Sequence, residues 1–143
     1  MMTCRFPRIP VTHLQGNMGL AERIAIALPA GAVVESGGAP GVDSSGDQAA
    51  KDRGLEVTVF LADWDRHGRK AGPPRNADIV ARADCVAAFW GGRSRGTLNT
   101  VVQAARAGRS VEVFDAEGRP VPIEVALRAA EERGVVAAID AVR

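Results

Sequence analysis

The chain has 143 residues, of which 46% are hydrophobic and 24% charged, and its formal net charge at pH 7 is +1. This length suits one domain with its own core, and the composition excludes the disordered and fibrous classes. The near-zero charge argues against a protein that coats nucleic acid or a membrane surface through a basic excess.

Membrane, secretory and metal-binding classes are also disfavoured. No apolar run reaches the roughly 18–20 residues of a membrane span, and the N-terminal segment lacks the apolar region of a signal peptide. Cys4 and Cys85 allow no disulfide framework, and the two histidines lack metal-ligand spacing. We therefore expect a cytoplasmic protein without a cofactor or metal, in which Cys85 is a buried thiol.

The first half of the chain alternates β-branched runs with helical segments. Residues 8–13 form a weak first strand, because Pro10 cannot donate to a ladder. Leu20, Ile24 and Leu28 place one apolar stripe on a short helix. Further strands are predicted at 32–36 and 55–60, and a helix at 43–53.

The same alternation continues in the second half. Pro74 begins a helix that extends to Arg82, and the continuous apolar run 85–90 is typical of a buried parallel strand. The remaining predicted elements are a helix at 97–107, a strand at 110–114, a turn at 115–118, a helix at 123–133, and either a helix or a strand at 135–142. This order predicts an α/β domain over residues 1–143, with a mostly parallel sheet of about five strands.

Two glycine-rich turns follow predicted strands, at the sheet edge where ligands bind in parallel α/β folds. Backbone N–H groups in such turns, together with the next helix N-terminus, bind anions. The candidate ligand-binding residues are Gly37, Gly38, Gly41 and Asp43 in the first turn, and Gly91, Gly92, Ser94, Arg95, Gly96 and Thr97 in the second. Alternatively, each is a plain turn before a helix, with Thr97 as the N-cap.

A polar segment, residues 62–76, separates these turns. Its candidate ligand-binding residues are Trp64, Arg66, Arg75 and Asn76, the last two at a helix start that faces the first turn. An exposed indole among cations suits a flat base beside a phosphate, whereas the alternative is a solvated loop pinned by Trp64. Residues 66–95 carry seven basic and two acidic side chains, which favours a local site for an anion with a flat ring.

Three segments, 36–43, 62–76 and 89–97, together resemble the YspA-like branch of the SLOG superfamily, which includes the lonely-guy phosphoribohydrolases and the DNA-processing protein DprA. The resemblance covers residues 31–114 and leaves 120–143 as a C-terminal helical extension. It implies a Rossmann-like three-layer sandwich that binds a nucleotide or nucleotide-derived ligand, in a sensing or processing role.

Two departures from that pattern concern phosphate binding and catalysis. Members of the branch begin with a glycine-rich turn and an arginine, whereas residues 13–17 here offer only Gly16. Thr100 stands where the lonely-guy pattern has its catalytic glutamate. Cleavage of an N-glycosidic bond needs a carboxylate near an oxocarbenium-like state, so enzymatic activity is left open, with Asp43 and Asp65 as the candidate carboxylates.

Three functions follow from these residues. The first is a nucleotide-binding sensor or processing domain, and the second is an N-glycosidase, phosphoribohydrolase or deoxyribosyltransferase acting on nucleotides. The third is single-stranded DNA binding like the DprA core, through Arg66, Arg69, Lys70 and Arg93. The small size and the absence of a second basic face disfavour this function and make nucleic acid an unlikely partner. The alanine-rich helices at 76–82 and 98–107 also suggest a homodimer.

Overall fold

A single six-stranded sheet runs through the part of the chain that the computed structural model describes, which is residues 8–12, 28, 31–36, 42–59 and 72–141. The strands are β1 (Arg8–Thr12), β2 (Val33–Ser36), β3 (Glu56–Val59), β4 (Cys85–Phe89), β5 (Ser110–Phe114) and β6 (Pro120–Val121). The helices are α1 (Val42–Asp52), α2 (Gly72–Arg82), α3 (Arg95–Arg106), α4 (Ile123–Glu132) and α5 (Val135–Asp140).

The strand order across the sheet is β3-β2-β1-β4-β5-β6, with parallel pairing everywhere except between β5 and β6. The predicted α/β class is confirmed, and the sheet has one strand more than expected. The turn at 115–118 returns the chain antiparallel to β5, because Asp115 Oδ1 accepts the backbone N–H groups of Glu117 and Arg119, both at 2.9 Å. The backbone N–H of Arg119 is the main reason that the pKa of Asp115 lies below its usual value.

The strand β1 lies at the centre of the sheet although it contains Pro10. It pairs with β2 over four residues but with β4 over two only, Val11 opposite Ala87 and Thr12 opposite Ala88. Proline has no N–H to donate, so a proline-containing strand cannot build a full ladder on both sides. Pro10 does not confine this strand to an edge of the sheet, and the pairing with β4 is the shorter of its two.

Helices cover both faces of the sheet, which gives three layers. Alternate residues of β4 separate the two cores: Cys85, Ala87 and Phe89 pack with Leu28 and α1. The intervening Val86 and Ala88, with Trp90 beyond the strand, pack against α2, α3 and α4. Phe89 also stacks on Phe114, with ring centroids 5.3 Å apart. The prediction of a buried Cys85 is confirmed.

Several helix bounds differ from the prediction for local reasons. Helix α2 begins at Gly72, two residues before Pro74, because a proline in the first turn gives up no intrahelical hydrogen bond. Residues 135–140, left open above, form α5. The predicted helical stripe lies outside the described residues except for Leu28, which is buried.

The C-terminal helices pack against α3. Val135 of α5 is buried in the shared core, and Arg106 of α3 pairs with Asp140 of α5 at 2.6 Å. That hydrogen bond raises the pKa of Arg106. Because α4 and α5 cover one side of α3, part of the surface proposed for a homodimer is occupied, and the dimer stays a prediction. Within the described ranges, no helix has both the length and the hydrophobicity that crossing a membrane requires.

Candidate functional site

The crevice between β1 and β4 is the topological switch point of the sheet. From β1 the chain proceeds outward through β2 to β3, whereas from β4 it proceeds the other way to β5. Open α/β sheets bind ligands outside the carboxyl ends of the strands at such a point. Residues 90–94, which we call the 90–94 loop, leave β4 at this position and lead into α3.

The N-termini of α2 and α3 lie side by side at this edge. The side chain of Asn76, in the first turns of α2, donates to the carbonyl oxygen of Gly96 at 3.3 Å and to Asn99 Oδ1 at 3.2 Å. Arg75 Nε in turn donates to Asn76 Oδ1 at 2.9 Å. Neither helix has an acidic residue in its first turn. Two helix dipoles and a buried guanidinium therefore make this edge electropositive.

A ladder of amides sets the spacing between the two helices. Gln103 Nε2 donates to Asn99 Oδ1 at 2.6 Å and to the carbonyl oxygen of Pro73 at 3.3 Å. Asn99 and Gln103 were not among the predicted site residues. Their separation by four residues places both amides on one face of α3, and this is a signal that points to a shared partner.

The 90–94 loop is exposed at Gly91 and Arg93 and half-buried at Gly92 and Ser94. Gly92 has φ of 93°, a conformation that favours glycine. Within the described part of the chain, no backbone–backbone hydrogen bond involves residues 91–93. The loop therefore has backbone N–H groups to offer an anion.

Ser94, rather than Thr97, is the N-cap of α3. Its Oγ accepts the backbone N–H of Thr97 at 3.2 Å, and the Thr97 hydroxyl lies 3.1 Å from the same atom. The alternative interpretation of Thr97 as the N-cap is wrong, because the helix begins two residues earlier, at Arg95. Thr97 is fully buried, so its side chain is packed beneath the surface and contacts the loop through Ser94.

The two arginines of this region have different roles. The guanidinium of Arg95 donates to the carbonyl oxygen of Arg133, at the end of α4. Arg93 is exposed, and it forms no hydrogen bond or ion pair with any residue that the structure describes. Arg93, predicted as a DNA-binding residue but not as part of the nucleotide site, is thus the cation of the loop that can meet a ligand without first losing a partner among the described residues.

Arg133 is a further residue of the site that was not predicted from the sequence. Its guanidinium donates to the carbonyl oxygen of Gly92 at 2.6 Å and lies over the Trp90 ring, 5.5 Å from the centroid. Nothing in the local pattern of the C-terminal extension indicates this contact, because its partner is 41 residues away in the sequence.

Thr100 takes no part in the crevice. The side chain is fully buried, and its hydroxyl donates to the carbonyl oxygen of Gly96 at 3.3 Å, one turn earlier in the same helix. The position where the lonely-guy pattern has a carboxylate is therefore occupied by a hydroxyl satisfied within α3.

The remaining candidates are less well placed. Asp43 lies in the first turn of α1, on the other face of the sheet from α2 and α3. The candidates that fall outside the described residues are Gly37, Gly38, Gly41, Trp64, Asp65 and Arg66, together with Gly16. The structure therefore brings together Arg75, Asn76 and the 90–97 segment. In the described ranges, no three potential metal ligands lie close to one another.

This geometry defines a Rossmann-like α/β protein whose crevice lies at the switch point of the sheet. No protein-family model matches the chain. It is 45% identical over 92 residues to the Gene 61 protein of Mycobacterium phage D29, an alignment that covers 60% of this chain and 74% of that protein. The chain belongs to the family of this phage protein.

A solved structure has a similar fold. The crystal structure of DNA processing protein A (DprA) from Streptococcus pneumoniae matches 79% of this chain with a TM-score of 0.64 and 22% sequence identity. The chain spans about half, 52%, of that protein. DprA is one of the SLOG relatives named above, so the match shows the Rossmann-like fold that the resemblance implies.

Proposed function

We propose that this protein binds a nucleotide or nucleotide-derived ligand in the crevice at the switch point, as a sensor or processing domain. The observation that supports this best is the hydrogen bond from Asn76 to the Gly96 carbonyl oxygen. It holds two helix N-termini without first-turn acids next to each other, which suits a phosphate group. The ligand phosphate would accept N–H groups of the 90–94 loop and pair with Arg93.

The rest of the ligand would reach toward the segments that precede α1 and α2. We assign the base to Trp64 and Arg66, because an indole among cations suits a flat base. We assign a further phosphate or ribose contact to the glycine-rich turn with Gly37, Gly38, Gly41 and Asp43. Stacking on an indole suits any nucleobase, because every base has a π face. This part of the proposal rests on sequence, and the 90–94 loop is the part that rests on geometry.

Replacing Arg93 with alanine is expected to weaken nucleotide binding about tenfold, which is about 1.4 kcal/mol. The reason is the loss of one charge-assisted hydrogen bond to phosphate at an exposed position. Isothermal titration calorimetry with a panel of mono-, di- and cyclic nucleotides measures the dissociation constant of each variant.

Arg128→Ala is the matched control, because Arg128 is an exposed arginine of α4 with no hydrogen bond or ion pair to described residues. It changes the net charge equally and should leave the affinity unchanged. Equal weakening in both variants would indicate non-specific attraction, and an absence of binding at millimolar nucleotide would contradict the proposal.

Single-stranded DNA binding is the second candidate, favoured by the fold shared with a protein whose name includes DNA processing. The low net charge of the whole chain argues against DNA binding. The basic excess of residues 66–95 is local, however, and suits contact with the phosphates of a single DNA strand. Under this hypothesis Arg93 would act together with Arg66, Arg69 and Lys70 on several phosphates.

The salt dependence of binding separates the two candidates. For a single strand, the slope of log K against log salt is about −0.7 for each phosphate neutralised. We expect an oligothymidylate to bind this protein with a slope no steeper than about −1.4, comparable to that of a mononucleotide, because one crevice holds one or two phosphates. A slope near −3 measured by fluorescence anisotropy, with far tighter binding of the oligonucleotide, would favour the DNA-binding function instead.

A further inference from the structure

The end of α4 and the 90–94 loop are connected by two arginines. Arg133 donates to the carbonyl oxygen of Gly92 at 2.6 Å and covers the Trp90 ring. Arg95, in the first turn of α3, donates in return to the carbonyl oxygen of Arg133. The C-terminal helical extension is thus connected directly to the loop that we assign to phosphate binding.

The loop has few other attachments in the described part of the chain. At its start, the backbone N–H of Trp90 donates to the carbonyl oxygen of Phe114 at 2.8 Å, and at its end Ser94 caps α3. Between these points, Gly92 is held through its carbonyl oxygen by Arg133. Gly92 has a positive φ, and a glycine can adopt many other backbone conformations. The hydrogen bond from Arg133 therefore helps to keep Gly92 in the observed conformation.

The contact with Trp90 adds to the same attachment. The indole is buried, and its Nε1 meets no hydrogen-bond acceptor among the described residues. The interactions of the ring are therefore packing and a cation–π contact with the guanidinium of Arg133, which is an exposed residue. Arg133 therefore contacts the loop at two points, the carbonyl oxygen of Gly92 and the ring of Trp90.

We infer that Arg133 is a positioning residue that holds the 90–94 loop in its anion-binding conformation and couples it to the C-terminal helices. The inference rests on the proposed function for the identity of the ligand, a phosphate-bearing molecule. Coupling between two sites is reciprocal, so docking of α4 favours phosphate binding and a bound phosphate favours docking of α4.

Hydrogen exchange without ligand tests the positioning role by itself. In Arg133→Ala, the amides of residues 90–97 are expected to exchange about tenfold faster than in the unmodified protein, and in Arg128→Ala at the original rate. In a Trp64→Phe background, where Trp90 is the one remaining tryptophan, Arg133→Ala should also change the emission spectrum. Arg133→Lys keeps a hydrogen-bond donor and the charge. Its exchange rate and emission spectrum should therefore lie between those of Arg133→Ala and the unmodified protein.

Calorimetry with ADP and with inorganic pyrophosphate tests the coupling. Arg133→Ala should bind both about tenfold more weakly, Arg133→Lys should be intermediate, and Arg128→Ala unchanged. In the unmodified protein, saturating ADP should slow exchange in residues 123–140, which lie outside the phosphate-binding loop. Thermal melts identify any variant that is unfolded, and the lysine variant then carries the comparison.

The two hypotheses fail in different ways. If no probe binds the unmodified protein, the proposed function is wrong, while the ligand-free exchange still decides whether Arg133 holds the loop. If loop exchange and Trp90 emission in Arg133→Ala match those of Arg128→Ala, the positioning role is overturned whatever the ligand does.

Discussion

Replacing Asn76 with leucine is expected to lower the free energy of unfolding by about 2–4 kcal/mol. The side chain is 1% exposed, donates to Gly96 O and Asn99 Oδ1, and accepts from Arg75 Nε. Leucine has a similar volume but no polar atoms, so these buried partners each lose a hydrogen bond, and a buried polar group without its partner costs about 1–3 kcal/mol. Urea denaturation followed by circular dichroism measures the change.

Asp78→Ala provides the control on the same helix, because Asp78 is exposed and forms no hydrogen bond or ion pair with described residues. It should change the stability by less than about 0.5 kcal/mol. At a temperature where the leucine variant is folded, it should also bind nucleotide more weakly. The reason is that the hydrogen bonds from residue 76 to α3 no longer fix the distance between α2 and α3. Full stability in Asn76→Leu would show that the amide ladder does not hold the two helices together.

Replacing Arg82 with glutamine is expected to destabilise the fold by about 1–3 kcal/mol. Arg82 Nε lies 3.3 Å from Oε1 of Glu35, whose side chain is fully buried in the centre of β2. Loss of this cation removes one compensating charge from a buried carboxylate, which costs more than the ion pair itself contributes. The effect is below that of a fully buried pair, because the Arg82 side chain is 45% exposed.

A double-mutant cycle separates the ion pair from other effects of the substitution. Adding Glu35→Gln to Arg82→Gln removes the buried charge, so the double variant should be more stable than Arg82→Gln alone. Arg128→Gln, at the exposed position on α4, should be close to neutral. Strictly additive losses in the cycle would show that the two side chains do not interact.

Local patterns in the sequence were sufficient for most of the elements. Strand β5 has the predicted bounds, and the bounds of the other described strands and helices lie within two residues of prediction, with β6 as the unpredicted strand. Periodicity, capping residues and breakers act over a few neighbouring residues, which is why sequence alone can show them. The same local rules place the 90–94 loop and the start of α2 at the carboxyl edge of the sheet.

Contacts between distant residues could not be predicted in this way. Both Arg93 and Arg95 follow a buried strand within a glycine-rich turn, and sequence alone does not tell which one is hydrogen-bonded to another part of the protein. The choice depends on the carbonyl oxygen of Arg133, which lies 38 residues beyond Arg95. The amide ladder likewise depends on Asn76 meeting Gly96 across 20 residues.

Length and composition indicated a folded globular protein, and the alternation of strands and helices indicated its α/β fold. Net charge suggested a surface without preference for anions, because summation over the chain hides where the charges are. Only the tertiary structure decided which polar groups converge at the crevice, because side chains from α2, α3 and the end of α4 meet there through folding. The physical reason is that periodicity is a property of neighbours in the chain, whereas a binding site is made by neighbours in space.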